Sequence, residues 1–168
     1  HRGALASFER PDETPWEGIL ASRRVLVCQE LVDHANVGSI MRVAAALGWD
    51  AVVISPGGAD PLYRRAIKAS MGTCFQVGWR RMTDPVADLD RLRAAGFDLA
   101  AATIGLEATT LTEYQAPERL ALLLGSEGHG LSADWLAVAD TRVRIEMATG
   151  IDSLNVATAA AIFAHWLR

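Results

Sequence analysis

The 168 residues carry 16 Lys and Arg against 20 Asp and Glu, a formal net charge of −4, with 51% hydrophobic and 21% charged residues. This length suits one domain that buries most of its apolar surface, and the composition is that of an ordinary α/β protein. The acidic balance argues against a stand-alone nucleic-acid binder, because neutralising phosphates needs a basic surface. No apolar run reaches the roughly 18 residues of a membrane-spanning helix, so no membrane role is expected. Cys28 and Cys74 lie singly in apolar runs without a CxxC pair, which points to buried, reduced thiols in a cytoplasmic protein.

Residues 1–22 hold Pro11, Pro15 and Gly18 without a clear period and read as a linker or N-terminal arm ahead of a domain over 23–168. The chain begins at His1, and an upstream RNA-binding segment is expected to precede it. The first strand is predicted over 25–29, followed by a helix over 36–47 that Gly48 ends, and a strand over 51–55. A short basic helix over 61–70, a strand over 74–77 and a helix over 86–95 come next. The strands over 98–104 and 120–124 then precede a helix over 131–137, a strand over 141–145 and a closing helix over 153–167. The alternation predicts an α/β fold, a parallel sheet of about six strands with helices on both faces. The unbroken apolar run at 120–124 suits a strand covered on both sides.

Open sheets of this kind bind ligands beyond the carboxyl ends of their strands. The loops after Gln29, Thr103, Leu124 and Ile145 are therefore the expected place for a site. No G-x-G-x-x-G follows the first strand and no P-loop occurs, which excludes the usual nicotinamide and nucleoside-triphosphate sites. Four cationic clusters stand out: Arg23-Arg24, Arg64-Arg65 with Lys68, Arg80-Arg81, and Arg142 with Arg144. Taken alone, each reads as a solvated face sooner than as an RNA contact.

Three segments have unusual chemistry: Asn36-Val-Gly-Ser-Ile-Met-Arg42, Leu124-Gly-Ser-Glu-Gly-His-Gly-Leu131, and Ile145-Glu-Met-Ala-Thr-Gly-Ile-Asp-Ser-Leu-Asn155. Together and in this order they resemble the three motifs of the SpoU (TrmH-like) family of the SPOUT superfamily, whose members are RNA ribose 2′-O-methyltransferases. The resemblance covers 25–168. It implies an α/β-knot, with the C-terminal segment threaded through a preceding loop, a topology that general rules on connections would not have suggested. It also implies S-adenosyl-L-methionine as cofactor, tRNA or rRNA as substrate, and a homodimer whose active sites combine residues of both subunits.

Glycines at 125, 128 and 130 permit positive φ and close backbone approach to a ligand, although a plain tight turn before a helix also explains them. By resemblance, Leu124, Gly125 and Gly130 belong to the cofactor pocket, with Thr103, Ile104 and Gly105 lining it. Ile145 and Leu154 are implied to hold the adenine through backbone contacts, with Met147 beside them. Glu127 suits the positive end of a helix dipole; the resemblance makes it a catalytic-site residue that holds Asn36. Asn36 is alternatively an N-cap, and Ser153 is a plausible cap of the last helix. The family pattern places Ser153 and Asn155 at the methyl-transfer site.

The resemblance sets Arg42 at the ribose. An arginine has a pKa above ~12, so its neutral fraction near pH 7 is on the order of one part in a hundred thousand or less. Clamping a phosphate and stabilising a developing alkoxide is the favoured role, and the general base stays unassigned. Leu154, Ala157, Ala160, Ala161, Ala164 and Leu167 form a small apolar stripe that suits a dimer interface or a knot core. Glu146 stands where many relatives carry proline. A rival reading, a dimeric RNA-binding domain of the same fold without catalysis, rests on Glu146 and the acidic balance.

Overall fold

The computed structural model describes residues 3, 7, 9–126 and 128–168. The first strand, β1 (Arg24–Cys28), is followed by β2 (Ala51–Ile54), β3 (Gly78–Arg81), β4 (Asp98–Ala102), β5 (Thr109–Thr110), β6 (Leu120–Leu124) and β7 (Thr141–Arg144). Among the described residues these seven form one sheet in the order β3-β2-β1-β6-β4-β7-β5, and every adjacent pair is parallel. Parallel neighbours need crossovers, and the helices supply them. They are α1 (Trp16–Leu20), α2 (His34–Leu47), α3 (Arg64–Ser70), α4 (Pro85–Ala94), α5 (Ala133–Val138) and α6 (Val156–Trp166).

Period-2 alternation along the strands splits the core in two. On one face Leu26, Leu122 and Leu124 pack with Val37, Ile40 and Met41 of α2 and with Ala160 and Phe163 of α6. On the other, Val25, Val27 and Leu123 pack with Ile19 of α1, Leu89 and Leu92 of α4, and Trp135 of α5. β6 sits at the centre, and all five of its residues are buried. The expected α/β sheet covered on both faces is thus the observed one. Burial pushes the Cys28 thiol up to about 12, so it is an inert core side chain.

Several boundaries differ from the expected ones. The segment 74–77 is not a strand. A 3-10 turn occupies Thr73–Phe75, and the strand is Gly78–Arg81. Met71 at φ 54° and Gly72 at φ 82° turn the chain there, burying Cys74 before extended pairing begins. The arginines of β3 obscured it, yet an edge strand tolerates charge. Within the expected arm, Trp16 and Ile19 are buried and Thr14 donates its amide to the Trp79 carbonyl at 2.8 Å, so α1 docks on the sheet. β5 has two residues, too few for any periodicity to signal it.

The helix caps also moved. Asp33 caps α2 by accepting from the Ala35 amide at 3.0 Å, so Asn36 lies inside the first turn and is no N-cap. Asn155, not Ser153, caps α6: its Oδ1 accepts from the amides of Ala157 at 3.0 Å and Thr158 at 3.2 Å. α6 is then pinned by main-chain carbonyls. Trp49 Nε1 donates to Ala164 at 3.1 Å, and Arg24 Nε donates to Leu167 at 2.7 Å. Gly38 faces α3 so closely that an added Cβ would lie 2.3 Å from the Ala66 carbonyl oxygen. Among the described residues no helix is long and apolar enough to cross a membrane.

Candidate active site

β6 enters the sheet between β1 and β4, where the chain's strand order reverses, and the loops after β4, β6 and β7 meet beyond its carboxyl edge. Ligand crevices form at such switch points because neighbouring loops diverge to opposite faces. Here the loops enclose a cleft of about 600 Å³, a size suited to a cofactor. Leu124, Ile145, Leu154, Val156 and Phe163 give it apolar walls. Thr103, Ser126, His129, Asp152, Ser153 and Asn155 add polar groups.

The loop after β6 folds back on itself. Ser126 and Gly130 exchange amide–carbonyl hydrogen bonds at 3.2 and 2.9 Å, with Gly128 and Gly130 at φ 88° and 67°. Gly125 is required for a different reason. A Cβ there would lie 2.1 Å from the Gly130 carbonyl carbon and 2.2 Å from the Leu131 nitrogen. Glycine lets the two arms of the loop touch main chain to main chain. Beneath them the buried Gln29 side chain donates from Nε2 to Ser132 Oγ and accepts the Ser132 amide at Oε1, both at 2.8 Å. This strut ties the loop to the end of β1. The sequence carried a faint sign of it, a single amide closing an apolar strand.

The first and third motifs meet directly. Asn155 Nδ2 donates to Asn36 Oδ1 at 3.0 Å while its Oδ1 caps α6. Replacing Asn155 by alanine is expected to cost about 1 kcal/mol through the lost cap. Asn155→Asp keeps the acceptor but cannot donate to Asn36 when ionised. Melting curves should therefore separate the two variants, with the aspartate close to the unmodified chain.

Of the residues assigned to the cofactor from sequence, Thr103, Ile104, Leu124, Gly125 and Gly130 line the cleft. So do Ile145, Met147, Ser153 and Leu154. Gly105 is not among the described lining residues; its amide donates to Thr103 Oγ1 at 3.2 Å and shapes the loop end. Asn155 lines the cleft, and Asn36 adjoins it through Asn155. Arg42 is exposed on α2 and is not among the described lining residues. Glu127 lies outside the described residues. His129, Asp152 and Phe163 were not singled out in advance; the first two lie within the quoted motifs, and Phe163 follows Val156 by two helical turns. Glu146 is exposed, outside the described lining, and accepts a long 3.5 Å hydrogen bond from Thr112 on the β5 side.

Residues 23–165 match the SpoU rRNA Methylase family. An uncharacterized tRNA/rRNA methyltransferase of Mycobacterium tuberculosis is 47% identical over 166 residues, covering 96% of this chain and 58% of the relative. The Bacillus subtilis 23S rRNA (guanosine(2553)-2′-O)-methyltransferase RlmP is 32% identical over 154 residues, covering 92% of this chain and 61% of RlmP. The chain therefore spans about three fifths of the curated relatives it matches. The crystal structure of the SpoU methyltransferase AviRb from Streptomyces viridochromogenes in complex with the cofactor AdoMet superposes with a TM-score of 0.85 at 26% identity, covering 95% of this chain and 65% of AviRb. Sequence and fold agree that the chain belongs to the SpoU rRNA methylase family.

Proposed function

We propose that this chain is the methyl-transferring domain of an RNA ribose 2′-O-methyltransferase that uses S-adenosyl-L-methionine. The observation that carries this reading is the cleft at the carboxyl edge, bounded by the second and third motifs. Its volume and its apolar walls suit an adenine ring, and the polar groups beside them suit ribose and amino-acid ends. Main-chain groups at Ile145 and Leu154, beside Met147, would hold the adenine. Leu124, Gly125, Gly130, Thr103 and Ile104 would enclose the rest, with Gly105 shaping the loop end. When bound, the cofactor supplies an electrophilic methyl group on a cationic sulfur.

The chain's own residues would then orient the acceptor. Ser153 and Asn155 line the cleft, and Asn36 accepts a hydrogen bond from Asn155. The role proposed for Glu127, to hold Asn36, rests on the family resemblance of the second motif alone. Arg42 clamps phosphate and stabilises the forming alkoxide, a role that needs no loss of its proton. Because Arg42 is exposed outside the cleft of its own chain, it suits a homodimer in which it reaches the partner's cleft. The reading includes the threaded C-terminal knot and work in the cytoplasm, both carried over from the family resemblance. As substrate, tRNA or rRNA is supported by the names of the M. tuberculosis relative and of RlmP.

The test supplies the chain with methyl-labelled cofactor and separated tRNA and rRNA pools, then hydrolyses the product in alkali. Ribose 2′-O-methylation removes the hydroxyl that attacks the next phosphodiester, so the label is expected in alkali-resistant dinucleotides. Label released on single nucleotides, from a methylated base, would contradict the ribose assignment.

A further inference from the structure

The four cationic clusters look alike in sequence, but the fold uses them differently. Arg24 spends its guanidinium on the carbonyls of Leu167 and Glu118, and Arg23 pairs with Glu118 at 3.8 Å. Arg81 donates to the carbonyls of Ser55, Pro56 and Gly58, while Arg80 donates to Thr14 and lies 5.3 Å over the Trp16 ring. Arg142 pairs with Glu107 at 3.7 Å, and Arg144 donates to Ala108. Each of these three clusters commits guanidinium groups to main-chain carbonyls.

The α3 cluster donates to no main-chain carbonyl among the described residues. Arg64 and Lys68 make no ion pair or hydrogen bond among the described residues, and Arg65 has only a 3.6 Å contact with Asp33. Arg64 and Lys68 stand one turn apart on the outer face of α3, whose inner face packs Ala66 against Gly38 of α2. Together with Tyr63 and Arg65 they border a surface groove. Tyr63 is 55% exposed, and its ring rests on His34 with centroids 4.3 Å apart. From Pro61 to Thr83 the sequence has no Asp or Glu, so the segment itself supplies no carboxylate to offset the charge.

We infer that the outer face of α3 is a docking surface for a single-stranded segment of RNA. Arg64, Arg65 and Lys68 take consecutive phosphates, and the free part of the Tyr63 ring, steadied by His34, receives an unstacked base. Charge complementarity argues for this occupant: in a chain of net charge −4, Arg64 and Lys68 are left uncommitted by the fold among the described residues, and Arg65 has a 3.6 Å contact with Asp33 alone. Held phosphates release counterions, and an exposed aromatic ring beside them gives stacking without sequence preference. The inference rests on the proposed RNA substrate, but its readout is binding alone.

The test measures anisotropy of a labelled single-stranded RNA and of an RNA duplex against the 168-residue chain, through a salt series starting well below physiological strength. For Arg64→Gln/Arg65→Gln/Lys68→Gln the slope of log affinity against log salt should become shallower by about 2, roughly 0.7 per cation lost for a single strand. Arg23→Gln/Arg142→Gln should leave the slope unchanged. Tyr63→Leu should weaken the single strand on the order of tenfold and leave the duplex unaffected. Circular dichroism and cofactor calorimetry on each variant check that fold and cleft are intact. An unchanged slope in the triple variant, an equal change in the control pair, or no RNA binding by the unmodified chain would each overturn the inference. Capture of anionic lipid vesicles in place of RNA would overturn it too. Cofactor binding or ribose methylation that persists in those cases leaves the proposed function standing, so the two failures are distinguishable.

Discussion

Gly125→Ala should abolish measurable cofactor binding and lower the melting temperature. The added methyl meets main-chain atoms of Gly130 and Leu131 at 2.1–2.4 Å, and main chain cannot swing aside as a flexible side chain can. Overpacking a well-filled site costs about 1–3 kcal/mol, and this one falls at or beyond the upper end. For a domain of this size, ~3 kcal/mol corresponds to a drop of about 6–12 °C. Opening the arms also displaces Leu124 and Gly130, both of which line the cleft. Gly128→Ala is the matched comparison. A Cβ there meets nothing within 4 Å, so only the strain of φ 88° remains, on the order of 1 kcal/mol. Calorimetry and thermal melts on both variants check the contrast. Equal losses in the two would mean that conformational freedom, not close approach, selects glycine in this loop.

Arg42→Ala should reduce methyl transfer on the order of 10²–10³-fold, the usual cost of removing one donor aimed at developing charge. Cofactor affinity should stay within about twofold, because Arg42 is exposed and not among the described lining residues. Arg42→Lys should recover only part of the rate, since an ammonium keeps the charge but not the planar fork that grips two phosphate oxygens. A homodimer with shared sites makes a further demand. Mixing Arg42→Ala chains with Gly125→Ala chains should restore activity in dimers that combine one sound cleft with the partner's intact Arg42. Transfer at the unmodified rate by Arg42→Ala would remove it from the chemistry.

Much of the fold was legible because its signals are local and strong. The run Leu120–Leu124 is apolar at every position, which only a strand covered on both faces tolerates, and Gly48 at φ 74° closes α2 where the pattern stops. The third strand was misplaced because Arg80 and Arg81 hid it, their charges answered by carbonyls distant in sequence. α1 went unseen because five residues between prolines and charges carry no period, and burial of Trp16 and Ile19 is a tertiary fact. Capping moved from Ser153 to Asn155 because α6 begins at Val156, two residues later than the polar residues suggested.

The cleft was legible through motif order, and the loops after β4, β6 and β7 do converge there. What holds them in place was not. The Gln29–Ser132 strut spans 103 positions and the Asn155–Asn36 bond spans 119, so neither leaves a trace in local sequence. Likewise, the four arginine-rich clusters are equivalent in composition. Only the main-chain hydrogen bonds made by three of them set apart the one on α3, where Arg64 and Lys68 have no partner among the described residues.

The central claim is that the cleft holds S-adenosyl-L-methionine, and titration calorimetry tests it most directly. The predicted result is saturable binding at one site per chain, lost in Gly125→Ala and retained in Arg42→Ala. A folded chain that takes up no S-adenosyl-L-methionine, or one whose binding is untouched by Gly125→Ala, would contradict it.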